Sequence, residues 1–277
     1  MQLEFTKMQG LGNDFVLVDA RSRPFTLGTD AIRRLADRRL GVGCDQVLVI
    51  ETPSDARAAV RYRVFNADGS GAEHCGNGVR CVARYLLARN ELAGGEFQAE
   101  INGGLYRLIA GANGIVRVDM GAPRFEPAAI PIAAQTRAAR YVLEVAGAWR
   151  EFGAVSMGNP HAVFLTEDVD VAPVGAVGAP LQSHPFFPQR VNVGFMQIIS
   201  RDRIRLRVFE RGAGETPACG TGACGAVAVG RRWDLLDERV TVELRGGELD
   251  IEWSGREGET LWMSGPAVKV FEGSIEL

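Results

Sequence analysis

A chain of 277 residues, 46% of them hydrophobic, is long enough for two domains of ordinary size and can form a sizeable core. Its formal net charge of −3 at pH 7 provides no basic stripe, which argues against nucleic acid as a main partner. Residues 1–7 lack a basic region followed by an apolar one, and no apolar run approaches the roughly 18–20 residues of a membrane span. We therefore expect neither a signal peptide nor a membrane anchor.

The cysteine, histidine and lysine residues indicate which disulfides, metal sites and cofactors are to be expected. The five cysteines include no Cys-x-x-Cys pair, so we expect neither a disulfide framework nor a four-ligand zinc site, and a reducing cytoplasmic setting fits best. The three histidines are too scattered for a metal site. Neither of the two lysines, Lys7 and Lys269, lies in a motif for a pyridoxal cofactor. The sequence therefore predicts no metal and no cofactor.

The first half of the chain alternates short strands with two helices. Strands are predicted at the apolar or alternating runs 15–18, 47–50 and 61–65. Thr29 and Asp30 can cap a helix that extends to about Leu40. The apolar face of this helix consists of Ile32, Leu35 and Ala36. A second helix is predicted after residue 75, because apolar residues recur at helical spacing over 79–87.

The same order of features recurs in the second half. The repeated features are Asn13 and Asn159 (146 residues apart), Gln46 and Asn192 (146), the strands at 61–65 and 205–209 (144), and Cys75 and Cys219 (144). Offsets this steady indicate a duplicated unit, and the period is far longer than that of a solenoid repeat. The second central helix, 223–229, is built of small residues, as a helix closely wrapped by a sheet requires.

We therefore expect two domains, with boundaries at 1–121 and 122–265. The second domain begins with an alanine- and proline-rich segment, 122–140, which has no periodicity and is interpreted as a connection. In the tail, 266–277, apolar and charged residues alternate, which predicts one more strand that returns to the first domain.

Two matching cysteine motifs organise the chain. Cys75 opens the sequence CGNGVRC and Cys219 opens CGTGACG, so each cysteine precedes a Gly-x-Gly turn that leads into a helix. A helix N-terminus favours the thiolate, because its N–H groups and the positive end of its dipole lower a pKa that is about 8.5 in free cysteine. We interpret Cys75 and Cys219 as an acid and base pair that acts on opposite faces of a carbon acid and inverts it.

A free cysteine is more often a small buried hydrophobic residue than a catalyst. We adopt that interpretation for Cys44, which precedes a strand, and for Cys81 and Cys224, which lie inside the predicted helices. It does not explain why Cys75 and Cys219 share the same polar, glycine-rich context.

The larger difficulty of such a reaction is the carbanion. Backbone N–H groups at the two helix starts can hold a substrate carboxylate and stabilise the charge that is delocalised into it. These groups belong to Gly76, Asn77, Gly220 and Thr221. Loss of one such donor typically costs about 2.7–4 kcal/mol in the barrier, so several together make the reaction feasible without a cofactor.

Polar residues hold equivalent places in the two units. They are Asn13, Gln46, Asn66, Asn159, Asn192 and Glu210. A single loop asparagine is usually a turn former, but three matched pairs that flank the cysteines indicate a polar shell for an amino acid. Glu210 and Arg211 place a charge pair in the second half only, which suits a zwitterionic substrate, although a surface ion pair is the alternative. His161 follows Gly-Asn-Pro and is placed to tune the pKa of a cysteine.

Taken together, these motifs resemble the diaminopimelate epimerase family. The matching stretches are KMQGLGNDF (7–15), FNADGS (65–70), CGNGVRC (75–81), MGNPH (157–161), VNVGF (191–195), ERGAGET (210–216) and CGTG (219–222). The resemblance spans almost the whole chain. It implies the cofactor-independent interconversion of LL- and meso-diaminopimelate, in lysine and peptidoglycan-precursor synthesis. It also implies an α+β fold of two pseudo-symmetric domains, each a curled mixed β-sheet around a central α-helix, with the active site in the cleft between them.

The resemblance also implies residue roles. Cys75 and Cys219 would be the two bases, with Cys219 the proton acceptor and Cys75 the donor in the LL-to-meso direction. His161 and Glu210 would adjust the pKa values of the thiols. The substrate-binding set would be Asn13, Gln46, Asn66, Gly76, Asn77, Asn159, Asn192, Glu210, Arg211, Gly220 and Thr221. Family members are commonly homodimers, and Phe271 stands where they often have a tyrosine at the dimer contact.

Two alternatives remain open. The nearer one is a two-thiol racemase or epimerase of proline or hydroxyproline. Arg211 and the polar shell argue against it, because proline has no distal amino-acid end, and such racemases typically carry histidine at the position of Asn77. The other alternative is a redox or metal-binding protein, which predicts that zinc or oxidation creates activity. The epimerase interpretation predicts that oxidation abolishes activity by joining Cys75 to Cys219.

Overall fold

The computed structural model describes residues 2–72, 76–92, 94–101, 104–111 and 115–277. The chain divides into two compact units: unit 1 comprises Met1–Asp119 and Ser264–Leu277, and unit 2 comprises Met120–Met263. The boundaries expected from the sequence, 121 and 265, lie two residues farther along the chain. None of the helices in the described ranges has the length and apolar character needed to cross a membrane.

Strands and helices follow one another in both units. In unit 1 they are β1 (Gln2–Gly10), β2 (Asn13–Asp19), α1 (Thr29–Ala36), β3 (Gln46–Glu51), β4 (Val60–Asn66), α2 (Gly76–Ala88), β5 (Gly95–Ile101), β6 (Gly104–Ala110) and β7 (Val116–Asp119). In unit 2 they are β8 (Tyr141–Val145), β9 (Ala148–Ser156), β10 (Pro160–Leu165), α3 (Val174–Leu181), β11 (Asn192–Ser200), β12 (Arg203–Glu210), β13 (Gly214–Thr216), α4 (Gly220–Arg232), β14 (Arg239–Leu244) and β15 (Gly247–Glu252). β16 (Trp262–Gly265) leads back to unit 1, where β17 (Val268–Glu276) ends the chain.

Unit 1 is a mixed sheet around α2. Its strands are hydrogen-bonded in the order β17, β1, β2, β3, β4, β5, β6 and β7. The β2–β3 and β4–β5 pairs are parallel, and the other pairs are antiparallel. α2 contacts β1, β2, β3, β6, β7 and β17, and most of its residues are buried. A helix buried on nearly every side is covered by a curled sheet, because its apolar residues would otherwise meet water.

Unit 2 repeats this pairing pattern. β10–β11 and β12–β14 are parallel, whereas β11–β12 and β14–β15 are antiparallel. The register repeats too, since Phe15 lies opposite Gln46 in unit 1 and His161 lies opposite Asn192 in unit 2. α4 contacts β9, β10, β11, β12 and β15. The α+β class, the duplication and the mixed sheet curled around a central helix are therefore confirmed.

Two local predictions in unit 1 need correction. α1 begins at Thr29 itself, with Gly28 in the N-cap position and no side-chain cap, so the predicted capping by Thr29 and Asp30 is wrong. The helix ends at Ala36 and not near Leu40, because Asp37 has extended backbone angles and its carboxylate accepts hydrogen bonds from the backbone of residues 39 and 40. The predicted apolar face is correct: Ile32, Leu35 and Ala36 are buried.

The segment 122–140 is not only a connection. Ile130 and Ile132 belong to the core cluster of unit 2, and Phe125 is buried against Trp253. The composition concealed this role because the buried residues are spaced too irregularly for either a helix or a strand. The predicted strand in the tail exists as β17, but most of its residues are exposed on both faces, so the alternation does not mark a buried side.

Candidate active site

The predicted site residues fall into two groups, one in each unit. The group in unit 1 consists of Asn13, Gln46, Asn66, Gly76 and Asn77. The group in unit 2 consists of Asn159, His161, Asn192, Glu210, Arg211, Cys219, Gly220 and Thr221. Cys75, the predicted partner of Cys219, lies outside the described residues. We call the two groups the unit 1 half-site and the unit 2 half-site.

Both central helices begin where the sequence predicted. α2 starts at Gly76, directly after the position of Cys75, and α4 starts at Gly220 with Cys219 as its N-cap residue. Neither helix has an acidic residue in its first turn. The first N–H groups of a helix have no partner within it and carry the positive end of its dipole, so both helix starts are suited to bind a carboxylate.

The thiol of Cys219 is hydrogen-bonded to a carboxylate. Its Sγ donates to Oε2 of Glu210 over 2.9 Å, and Oγ1 of Thr221 lies 3.6 Å from the sulfur. Glu210 is the last residue of β12, and its other oxygen, Oε1, accepts a hydrogen bond from the hydroxyl of Thr216 in the neighbouring strand β13. The carboxylate is thereby held in place by two donors, one of which is the thiol.

Burial decides the protonation of Cys219. The side chain is only 4% exposed, and this desolvation, followed by the negative charge of Glu210, raises the pKa of the thiol well above its usual value. Hydrogen bonds from Thr221 and the backbone of Gly222 lower the pKa, but by less. The helix start thus lowers the pKa of this cysteine as expected, through the N–H of Gly222, but burial and Glu210 outweigh that effect. At neutral pH Cys219 is a thiol, with Glu210 placed to accept its proton.

His161 and Asn159 continue the hydrogen-bonded network of unit 2. Burial, with a smaller contribution from the charge of Arg211, lowers the pKa of His161 to about 3, so its ring is neutral at physiological pH. Its Nε2 lies 2.8 Å from Oδ1 of Asn159, and Nδ2 of Asn159 donates to Oγ1 of Thr221 over 3.4 Å. Because Oδ1 can only accept, the hydrogen of the ring is on Nε2. His161 is thus linked to the surroundings of Cys219 through two side chains.

Asn192 connects the start of β10 with the end of β12. It is 3% exposed, its Nδ2 donates to the carbonyl of Pro160 over 3.3 Å, and its Oδ1 accepts from the backbone N–H of Arg211 over 2.9 Å. This bridge fixes the backbone at the end of β12, where Arg211 follows Glu210. The side chain of Arg211 donates to the carbonyl of Gln189 over 3.4 Å.

The unit 1 half-site contains two pairs of hydrogen-bonded amides. Nε2 of Gln46 donates to Oδ1 of Asn66 over 3.1 Å, across the antiparallel β3–β4 pair. Nδ2 of Asn77 donates to Oδ1 of Asn13 over 3.3 Å. Asn13 in turn donates to Oδ2 of Asp45 over 3.0 Å. The structure therefore brings Asn13 and Asn77 together, and Gln46 and Asn66 together.

Sequence reasoning missed the residues that support these groups. They are Asp45, which holds Asn13, Thr216, which holds Glu210, and Arg80, which donates to Asn77. Thr216 and Arg80 lie within the matched stretches, but neither has a polar counterpart at the repeat offset, so comparison of the two halves did not reveal them. Among the described ranges, no cluster of three or more His, Cys, Asp or Glu side chains could hold a metal ion.

The arrangement of a thiol, a carboxylate and a helix start can be compared with known proteins. The family model described as "Diaminopimelate epimerase" matches residues 5–126 and 153–270. The chain belongs to the diaminopimelate epimerase family. It is 54% identical over 275 residues to a diaminopimelate epimerase of Halorhodospira halophila, a match that covers 99% of this chain and 96% of that relative.

Solved structures outside the diaminopimelate epimerase family share the fold. A phenazine biosynthesis protein from Bacillus anthracis superimposes with a TM-score of 0.70 at 18% identity, covering 100% of both chains. A hydroxyproline epimerase from Agrobacterium vitis superimposes with a TM-score of 0.71 at 15% identity, covering 99% of this chain and 92% of the other. At such low identities the likeness concerns the fold alone.

The contact between Cys219 and Glu210 predicts a change in thiol reactivity. Glu210→Gln removes the negative charge that raises the pKa of Cys219, so more thiolate should be present at pH 8. Because the lower pKa leaves more of the reactive thiolate, alkylation by iodoacetamide should become roughly threefold faster or more. The rate is measured at the Cys219 peptide by mass spectrometry. The matched control is Glu215→Gln, whose carboxylate pairs with Arg207, and its rate should stay within about twofold of the wild type. An unchanged rate in Glu210→Gln would show that the carboxylate does not control this thiol.

Proposed function

We propose that this chain interconverts LL- and meso-diaminopimelate through a pair of cysteines, Cys75 and Cys219, without a cofactor. The chain is an isomerase of the epimerase type, and the reaction belongs to lysine biosynthesis. The proposed two-cysteine mechanism is supported chiefly by the hydrogen bond from Cys219 to Glu210 at the start of α4. It supplies what a two-base mechanism needs on one side: a thiol that can give a proton and a carboxylate that can take one.

In the meso-to-LL direction Cys219 acts as the acid. The thiolate of Cys75 removes the α-proton, the electron pair of the broken C–H bond is delocalised into the substrate carboxylate, and the S–H of Cys219 delivers a proton to the opposite face. In the LL-to-meso direction Cys219 first transfers its proton to Glu210 and then removes the α-proton as a thiolate, while Cys75 delivers the new proton. Positioned proton transfer of this kind contributes typically about 10²–10⁴-fold to a rate.

The substrate carboxylate at the reacting centre would bind the two helix starts. Gly76 and Asn77 supply N–H groups in unit 1, and Gly220 and Thr221 supply them in unit 2. Donors that bind this carboxylate stabilise the charge that develops as the α-proton leaves more than they stabilise the ground state. This binding explains how a weakly acidic carbon can react without a pyridoxal group.

The remaining polar residues suit the distal amino-acid end of diaminopimelate. Arg211 and the ionised form of Glu210 offer one charge of each sign, which matches a zwitterion, and Asn66, Asn159 and Asn192 complete the polar residues proposed for this end. The bridge through Asn192 holds the backbone of Arg211 at a fixed place beside Glu210. Proline and hydroxyproline have no second amino-acid group for these residues, which is the reason to prefer diaminopimelate as the substrate.

We further propose that the chain works in the cytoplasm as a homodimer. β17 carries three exposed apolar side chains, those of Val268, Val270 and Phe271, which are 46%, 55% and 47% exposed. Exposed apolar residues grouped on one strand are typical of a surface that associates. A second copy of the chain is the occupant favoured by the family resemblance. Sedimentation velocity should give a dimer at micromolar concentration, and a monomer would contradict this proposal.

The catalytic roles can be tested with three alanine variants. Cys219→Ala and Cys75→Ala should each reduce kcat for epimerisation by about 10²–10⁴-fold, because each removes one of the two proton-transfer groups. Cys224→Ala is the control, since it removes a fully buried thiol from the same helix as Cys219, and it should leave kcat within about threefold. The measurement is chromatographic separation of the LL and meso isomers with no cofactor added.

Full activity in Cys219→Ala or Cys75→Ala would remove that residue from catalysis. L-Proline and trans-4-hydroxy-L-proline are each tested as an alternative substrate in place of diaminopimelate. Inversion of either at a rate comparable to that of diaminopimelate would favour the racemase alternative.

A further inference from the structure

We propose that Arg80 is a positioning residue of the unit 1 half-site, where its guanidinium fixes the direction of the hydrogen bonds that orient the amides of Asn77 and Asn13. This inference rests on the proposed function insofar as Asn13 and Asn77 bind the substrate. Arg80 itself lies behind these two residues and is not proposed to touch the substrate.

Arg80 is a fully buried cation on the first turns of α2. Its side chain is 0% exposed. Nη1 donates to the carbonyl of Gly76 over 3.2 Å, Nε donates to the carbonyl of Pro266 over 3.3 Å, and Nη2 donates to Oδ1 of Asn77 over 2.8 Å. A guanidinium can only donate hydrogen bonds, so Asn77 must turn its oxygen towards Arg80 and its nitrogen away. Asn77 is itself only 3% exposed, so water cannot easily substitute for a missing partner.

The chain of hydrogen bonds continues in the same direction. Nδ2 of Asn77 donates to Oδ1 of Asn13 over 3.3 Å, and Nδ2 of Asn13 donates to Oδ2 of Asp45 over 3.0 Å. The carboxylate of Asp45 can only accept, and it is held by Arg38 and by the backbone N–H of Asp14. The chain thus begins at a donor-only group and ends at an acceptor-only group. Reversing either amide would bring two donors or two acceptors face to face.

The backbone that carries Asn13 packs against Arg80. Asn13 begins β2 after a two-residue turn, in which Leu11 and Gly12 both have positive φ angles of 58° and 82°. Gly10 precedes this turn at the end of β1, and a Cβ atom added there would lie 3.4 Å from Nη2 of Arg80 and 3.5 Å from Cβ of Asn77. The strand end that leads into this turn therefore lies close to Arg80 and Asn77, with little room for a side chain between them.

The duplicated unit places a different group at this position. The residue 144 positions after Arg80 is Cys224, which has no guanidinium. In unit 2 the buried donor is instead His161, which comes from a strand and donates through Nε2 to Asn159. Each half-site therefore has one buried donor that sets the direction of its amides, but the two donors come from different elements. The role of Arg80 in α2 therefore cannot be inferred from the equivalent position in α4, which is occupied by Cys224.

Kinetic coupling distinguishes a positioning role from a purely structural one. Arg80→Met should raise KM for diaminopimelate by about tenfold or more, because the amides lose their fixed direction, while kcat per folded molecule should change less. In an Asn13→Ala background the same substitution should change KM by a clearly smaller factor, since the part of its effect that passes through Asn13 is already absent. Arg84→Met, on the same helix and half-buried, is the matched control and should leave KM within about twofold in both backgrounds.

Two further tests remain informative if Arg80→Met folds poorly: the kinetics of a second variant and the amide resonances of the chain. Asn77→Asp keeps an acceptor for Arg80 but has no N–H to donate to Asn13, so it should raise KM by a similar factor. The side-chain amide resonances of the chain labelled with ¹⁵N report the network without any activity. Arg80→Lys or Arg80→Met should shift the NH₂ signals of both Asn77, which accepts a hydrogen bond from Arg80, and Asn13, which accepts one from Asn77, and Arg84→Met should shift neither.

These outcomes separate the inference from the proposed function. Unmoved Asn13 resonances in the Arg80 variants, or an equal change of KM with and without Asn13, would overturn the positioning role. A wild-type chain that shows the amide coupling but does not epimerise diaminopimelate would contradict the proposed function and leave the network correct.

Discussion

The hydrogen bond between the thiol of Cys219 and the carboxylate of Glu210 is the interaction on which the rest of this account depends. Three kinds of local effect act on the sulfur: desolvation, the neighbouring carboxylate of Glu210, and the hydrogen bonds from the Thr221 hydroxyl and the Gly222 N–H at the helix start. The first two outweigh the third, so the pKa of the thiol is raised and the proton stays on sulfur. The helix start is therefore not needed to ionise the cysteine. The N–H groups of Gly220 and Thr221 are the ones proposed to bind the anion that the chemistry generates.

The two units show how a duplicated fold can keep its framework while its polar groups diverge. The alternation of parallel and antiparallel strand pairs is the same in both, and so is the register that sets Phe15 against Gln46 and His161 against Asn192. The donor that begins each hydrogen-bonded chain is different, however. A permanent cation, Arg80, directs the amides in unit 1, whereas a neutral imidazole, His161, does so in unit 2. Both are donors at the relevant atom, which is the property that the amides require.

The sequence was most informative where a local pattern decides the structure. The helices that start at Gly76 and Gly220 follow from glycine-rich turns before apolar runs, and the equivalent strand positions of Gln46 and Asn192 follow from the repeat offset. The protonation of Cys219 was not accessible in the same way, because its burial depends on how α4 packs among strands distant in sequence. The core role of Ile130 was missed for the same reason. The sequence places Arg80 in the cysteine motif CGNGVRC. Its hydrogen bond to Asn77, and the one from Asn77 to Asn13, could not be predicted, because Asn13 is brought to α2 only when the β1–β2 hairpin folds.

The central claim is that two separate groups handle the proton, one on each side of the reacting carbon. Isotope exchange in deuterated water tests it most directly, because the S–H of the donor exchanges with the solvent before each turnover. With LL-diaminopimelate and no added cofactor, the first meso product should carry one deuterium at the inverted α-carbon, while recovered LL substrate at low conversion should retain its protium. Meso product that retains protium at the inverted carbon would mean that a single group both removes and returns the proton, and would contradict the account.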